Sequence, residues 1–387
     1  MIKKNIKQTA LKILHPMMTA NDKTIASNNF LFSAKKSRAS YDLPEYYLIY
    51  FLLNDLLGFK NIGKFEKIAW SFPIDYNGKA FLIEFRKFGV GVFVQEIEND
   101  EPLAVEIVKK IKGAVKSARP YFDHLAKEAV KKSELNIVNN NQKLYQRFEY
   151  LLELYKEEQA KYIKNKNNVK TEHNTSEFGI ITSYENIGYK FYQNANWLAI
   201  SCIEAFFSWT EHLFIHLAVV AENLADGQAI LNLIDAEWKI KFKAAISDTS
   251  KEAGKFYNEL LIVRQQLRNF VAHGAFGKNG NAFSFHSATG AVPVLMSHNR
   301  QKNRFSLNGS LSFKEEDVIT LIEEFVKFLW TGSLAPAMYY TQECALPTIL
   351  TDSVNGKYAA VTLDMNIMKE YAYYLMGEID NSANMDW

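Results

Sequence analysis

The chain reads as an α+β protein, predominantly α: an N-terminal α/β domain with a small antiparallel sheet, then a C-terminal antiparallel helical bundle interrupted by a β-like insertion. Three observations predict this. Residues 68–74 and 81–85 are apolar runs separated by Asp75-Tyr76-Asn77-Gly78. Asn-Gly between such runs signals a hairpin, because both residues tolerate the positive φ that a tight turn demands. Residues 89–94 add a third strand, Gly-Val-Gly-Val-Phe-Val, and beyond residue 187 apolar residues recur at helical spacing through several long segments.

Residues 1–40 carry eight Lys/Arg against one acid, Asp22, and lack the apolar centre of a secretory signal, so they read as a solvated basic segment. The α/β domain spans 41–163. It opens with an aromatic-rich helix over 43–57, continues through the strands and closes with helices over 102–136 and 142–163. The first of these breaks near Arg119-Pro120, since proline removes a helical donor and biases the preceding residue out of helix. The second sets Leu144, Phe148, Leu151, Leu152 and Tyr155 on one side. Residues 164–176, rich in lysine and asparagine, read as a linker. The helical domain spans 177–335, with helices over 187–223, 227–246, 250–273 and 313–330 and an insertion of about forty residues before the last. Residues 336–387 read as a hairpin turning at Asn355-Gly356, a short helix over 367–376 and an acidic tail.

Hydrophobic content of 48% fills a core, and a net charge of +2 excludes a globally basic coat protein while allowing a local basic site. Cys202 and Cys344 stand in no pairing or metal pattern, as expected of a reducing cytoplasm. The longest apolar run, 195–221, is interrupted by Glu204, Glu211, His212 and His216, which argues for a bundle helix and against a membrane span.

The helix over 250–273 ends in Leu267-Arg268-Asn269-Phe270-Val271-Ala272-His273-Gly274. Leu260, Leu267, Phe270 and Val271 face one way, and Gly274 is placed to stop the helix. Arginine with histidine is the pair needed to cut RNA without a metal: the guanidinium holds a phosphate bidentately and the imidazole moves a proton near neutral pH. Five positions apart, Arg268 and His273 stand about 140° around the axis, so either the last turn relaxes or a second copy of the motif completes the cleft. The plain structural account is a histidine in the field of the helix dipole and an arginine that packs its stem and pairs with a carboxylate such as Glu204. A second Arg-to-His match, Arg119 to His124, has proline directly after the arginine and Asp123 beside the histidine, and is set aside.

With Asn269 following the arginine, and with the earlier helix reading Ile200-Ser201-Cys202-Ile203-Glu204-Ala205-Phe206-Phe207, this region resembles the HEPN domains, a helical family with many ribonucleases. The resemblance covers roughly 187–330. It implies a metal-independent endoribonuclease that needs no cofactor, in which the RNA 2′-hydroxyl attacks its own phosphate to give a 2′,3′-cyclic phosphate and a 5′-hydroxyl. His273 would be the general base or acid, Arg268 would stabilise phosphoryl charge, and Asn269 would orient the histidine or the substrate. Glu204 would be the acidic residue that faces the motif, and Arg264, one turn before Arg268, a structural residue within reach of the phosphate. The resemblance further implies a homodimer with two motifs across one cleft, a toxin or antiviral-defence role, and an inhibitor or antitoxin protein as partner. The alternative it leaves is a catalytically inactive HEPN-like module that binds RNA or protein.

The insertion supports an RNA partner. From 274 to 313 it carries Lys278, Arg300, Lys302 and Arg304 with no acid, and its phenylalanines offer stacking faces or, equally, a small satellite core. Two other constellations rank lower. His212 and His216 share a helix face, but the position after His212 is leucine where a zincin has glutamate. Asp75 and Glu84 bracket the hairpin, yet Arg86 stands where a restriction-type nuclease core needs lysine.

Overall fold

The computed structural model describes residues 2–176, 179–247, 250–273, 284–288, 290–293 and 314–385. The chain divides into two compact units, Met1–Lys132 with Tyr373–Trp387, and Ser133–Ala372.

In the first unit, α1 (Ile2–Leu14) leads to the short strand β1 (Met18–Thr19), the single-turn helix α2 (Phe30–Ser33), strand β2 (Lys35–Lys36) and a 3-10 turn at Arg38–Asp42. Helix α3 (Tyr46–Tyr50) runs on as a π-helical turn, Phe51–Leu57. Strands β3 (Ile68–Tyr76), β4 (Lys79–Arg86) and β5 (Gly89–Val94) form the meander the sequence predicts. With β1 and β2 at its edges, the antiparallel sheet has the order β1-β3-β4-β5-β2. Asn77 and Gly78 turn the β3–β4 hairpin at φ 55° and 79°, and the Asp75 carboxylate accepts the N–H of Gly78 at 2.8 Å. Helices α4 (Ile97–Ser117) and α5 (Arg119–Lys131) follow, with Pro120 in the first turn of α5, where a missing N–H costs nothing.

Strand alternation sorts this unit into a large and a small core. Phe72, Ile74, Phe81, Ile83, Val92 and Val94 pack on one face beneath α1, the π turn and α4, and Leu82 and Phe93 meet Phe30 and Ala34 on the other. Residues 1–40 are therefore not a solvated segment. Ala10, Leu14 and Met17 are buried, and both edge strands come from this stretch. The lysines of α1 crowd its outer side, so their number masks an amphipathic helix.

In the second unit, β6 (Asn136–Ile137) precedes α6 (Asn141–Asn165), which packs antiparallel on α7 (Ile187–Val220). The two helices are joined by the hairpin of β7 (Val169–Ser176) and β8 (Gly179–Asn186), in register from Val169↔Asn186 to Ser176↔Gly179. The polar stretch 164–176 is thus the end of α6 and a strand rather than a linker; it is polar because most of it faces water. The expected helix over 227–246 is two, α8 (Gly227–Asp235) and α9 (Trp238–Ala245). Extended backbone at Ala236 and Glu237 turns Trp238 into the core, where its Nε1 donates to Thr210 Oγ1 at 3.0 Å. Next come α10 (Lys251–His273), the paired strands β9 (Ser284–Ser287) and β10 (Gly290–Pro293), and α11 (Glu315–Leu329).

Helix α12 (Ala335–Met338) and a π turn, Tyr339–Glu343, lead to β11 (Thr348–Ile349), which pairs with β6. No hairpin forms over 346–362: α13 (Leu350–Val354) and α14 (Lys357–Val361) flank Asn355-Gly356, with Gly356 at φ 72°. Asn-Gly separates two short helices here as readily as two strands. Helix α15 (Met365–Asn384) replaces the short helix and tail, and passes from the second unit into the first.

Helix α7 is the centre of the second unit. Phe206, Trp209 and Phe214 on it pack with Phe148 of α6, Trp238 of α9 and Phe325 of α11. Among the described residues it is the one helix long and apolar enough to cross a membrane, and 61% of its most apolar window is buried inside the protein, as befits a core helix.

Candidate functional site

Ser250 opens α10, its Oγ accepting the N–H of Ala253 at 3.1 Å. Ala253, Phe256, Leu260, Val263 and Leu267 alternate at spacings of three and four and are buried, so the helix is anchored along one stripe. Arg264 and Arg268, four residues apart and therefore neighbours on that surface, lie off the stripe; Arg264 is half-buried and Arg268 exposed.

Arg264 forms an ion pair with Glu211 of α7, and its guanidinium lies 5.5 Å from the ring centre of Phe207. Its role here is structural, and it bridges α10 to α7. Arg268 makes no hydrogen bond or ion pair to any of the described residues. The carboxylate of Glu237, next to the start of α9, is held below the usual range first by its hydrogen bond and ion pair with Lys239 (2.8 Å), and further by Arg268 and Arg264. Three cations, Lys239, Arg264 and Arg268, and the carboxylates of Glu211 and Glu237 thus set the electrostatics of this face among the described residues.

Glu204, expected to face the motif, is exposed on α7, two turns before Glu211 and on the same side of the helix. The sequence reading missed Glu211, Glu237 and Lys239; the signal for Glu211 was its seven-residue spacing from Glu204. The backbone of α10 stays helical through His273. The side chains of Asn269 and His273 lie outside the described residues, as do Lys278, Arg300, Lys302 and Arg304 of the insertion.

The other constellations are committed to the fold. His216 is buried, with Nδ1 2.7 Å from Thr348 Oγ1 and Nε2 3.1 Å from His212 Nε2, and His212 Nε2 also accepts the N–H of Asn140 at 2.9 Å. Glu84 accepts from Ser71 Oγ at 2.6 Å and from Arg86 Nε at 2.7 Å, while Arg86 lies 3.7 Å over the ring of Phe93. Asp75 holds the hairpin turn and accepts from Thr24 Oγ1 at 2.7 Å. Burial pushes the Cys202 thiol up to about 12, far from a reactive thiolate. Among the described residues no group of three or more His, Cys, Asp or Glu could hold a metal ion. Compared with known proteins, the chain matches no family model, no curated protein and no solved structure.

Proposed function

We propose that this protein is a metal-independent endoribonuclease of the HEPN type, acting on single-stranded RNA as a toxin or antiviral-defence effector. The observation that carries the reading is Arg268. It sits on the solvent side of a firmly anchored helix, with no hydrogen bond or ion pair among the described residues, in a helix that continues unbroken to His273. An exposed guanidinium beside a second, structurally committed arginine is poised to take a phosphate. In the reaction His273 takes the 2′-hydroxyl proton or protonates the leaving 5′-oxygen, and Arg268 neutralises charge on the phosphoryl oxygens. Asn269 orients, and a second copy of the chain completes the cleft.

The test is cleavage of single-stranded RNA in EDTA. Arg268→Ala and His273→Ala should each lower the rate by roughly 10²–10⁴ while leaving the fold intact, and the wild-type products should end in 2′,3′-cyclic phosphate. Activity unchanged in His273→Ala would sink the mechanism. Sedimentation should show a dimer. The inactive-module reading draws on Arg264, whose pairing with Glu211 shows that an arginine on this face can be structural; it predicts RNA binding without cleavage by the wild type.

A further inference from the structure

The first unit holds a basic surface that the cleavage chemistry does not use. Helices α1 and α4 lie antiparallel over one face of the sheet. Lys110 Nζ donates to the carbonyls of His15 (2.6 Å) and Ile13 (3.5 Å) near the end of α1, and Lys3 stands 5.2 Å over the ring of Tyr121, just beyond α4. Helix α1 carries four lysines and no acid. The second half of α4 carries Lys109, Lys110, Lys112 and Lys116, again with no acid. Both helices bury their apolar sides in the core, so the lysines are forced outward.

Counter-charge is scarce there. Lysines elsewhere, such as Lys79, Lys156 and Lys161, are ion-paired, whereas among these eight only Lys112 has a carboxylate among the described residues, Asp42 at 3.7 Å and exposed. Residues 1–132 hold 22 Lys/Arg against 14 Asp/Glu in a chain whose net charge is only +2. Like charges gathered with so little counter-charge repel one another, and a polyanion relieves that repulsion.

Next to this row a groove of about 430 Å³ opens between the 3-10 turn and α4. Ala39, Val105 and Val108 give it an apolar lining, and Lys109, Lys112 and Asp42 supply its charge. Tyr41, adjacent to Asp42, is 92% exposed. A tyrosine so exposed contributes almost nothing to the core, and beside a lysine row it is a stacking platform for a base.

We propose that this face binds a single-stranded nucleic acid: Lys109, Lys112 and Lys116 follow the phosphates, and Tyr41 stacks on a base at the groove. A membrane surface is a poorer fit, because the helices keep their apolar sides inside and, among the described residues, leave only Leu11 and Val105 exposed as large apolar side chains near the lysines, too little to enter the acyl region. The proposal stands or falls separately from cleavage, since it concerns another part of the chain.

Fluorescence anisotropy of the full-length protein, carrying His273→Ala to prevent cleavage, with a labelled oligouridylate of roughly 20 nucleotides tests it. Combined Lys109→Glu, Lys112→Glu and Lys116→Glu should weaken binding at least about tenfold and flatten the slope of log K against log salt by about 2. Tyr41→Ala should weaken binding with the slope unchanged. Binding by the triple variant equal to that of the parent, at an unchanged thermal midpoint, overturns the proposal. So does binding to phosphatidylserine vesicles with none to the oligonucleotide. Loss of binding in the triple variant alongside a wild type that never cleaves RNA would uphold this surface and refute the nuclease.

Discussion

The backbone N–H of Asn140 donates to Nε2 of His212, so that nitrogen carries no proton. His216 Nε2, which faces the same atom, must then be the donor, which leaves His216 Nδ1 to accept from the Thr348 hydroxyl. Both rings are thereby fixed as neutral tautomers. Burial first, then the neighbouring His212, pushes His216 down to about 3, and burial followed by Lys241 lowers His212. In the unfolded chain both take up protons near pH 6.5. The unfolded state therefore binds more protons than the folded one between about pH 6.5 and 3, and stability falls as pH drops through that window. The slope is about 1.4 kcal/mol per pH unit for each histidine kept neutral. His216→Gln preserves a donor and an acceptor but cannot titrate, so urea unfolding at pH 7 and pH 5 should show a smaller acid loss in the variant than in the wild type. Parallel losses would exonerate the pair. The same logic of partners separates the arginines of α10: the motif singles out Arg268, but nothing in the sequence says that Arg264 takes Glu211 and not Glu204, because that depends on which turn of α7 meets α10.

Among the elements, the contact between α6 and α7 is governed by one glycine. A Cβ on Gly188 would come within 2.7 Å of Lys166 Cα and 2.9 Å of the Asn165 carbonyl oxygen, both backbone atoms that cannot swing aside. Asn186 closes the same junction: its Oδ1 accepts the Gly188 N–H at 2.9 Å, and its Nδ2 donates to the Lys166 carbonyl at 3.3 Å. Gly188→Ala should cost about 1–3 kcal/mol of local overpacking and speed hydrogen exchange in β7 and β8, while Phe206–Phe214 of α7 stays protected. Unchanged exchange in the hairpin would mean the helices can part there without strain. This junction also shows where sequence reading stops. Helices α7 and α10 and strands β3 to β5 were legible because each buries a regular set of apolar positions. The β7–β8 hairpin was not, since Val-Lys-Thr-Glu-His-Asn-Thr-Ser has little apolar alternation to display. The break at Ala236-Glu237 has no Gly or Pro to announce it, and Asn355-Gly356 announces a turn without saying what it joins.

For the molecule as a whole, the C-terminal residues belong to the unit that the N-terminal residues begin. Sequence order hides this: an acidic end after a short helix reads as a tail because its partners lie some three hundred positions earlier. Lys67 Nζ donates to the Asn384 carbonyl at 3.3 Å, Lys87 Nζ donates to Asn384 Oδ1 at 3.0 Å, and Met385 is buried. The two lysine bonds are exposed and contribute little. Burial of a methionine contributes about 1.5–3 kcal/mol, which for a unit of this size is a midpoint shift of several degrees, at about 2–4 °C per kcal/mol. A chain ending at Gly377 should therefore lose stability in the first unit alone. Hydrogen exchange should quicken in β3, β4 and β5, with the Phe206–Phe325 core of the second unit unaffected. RNA cleavage, if Arg268 and His273 carry it, should persist at temperatures below the lowered midpoint. Equal loss of protection in both units would show that they unfold as one body, and no loss in either would show that the final residues are dispensable to the sheet.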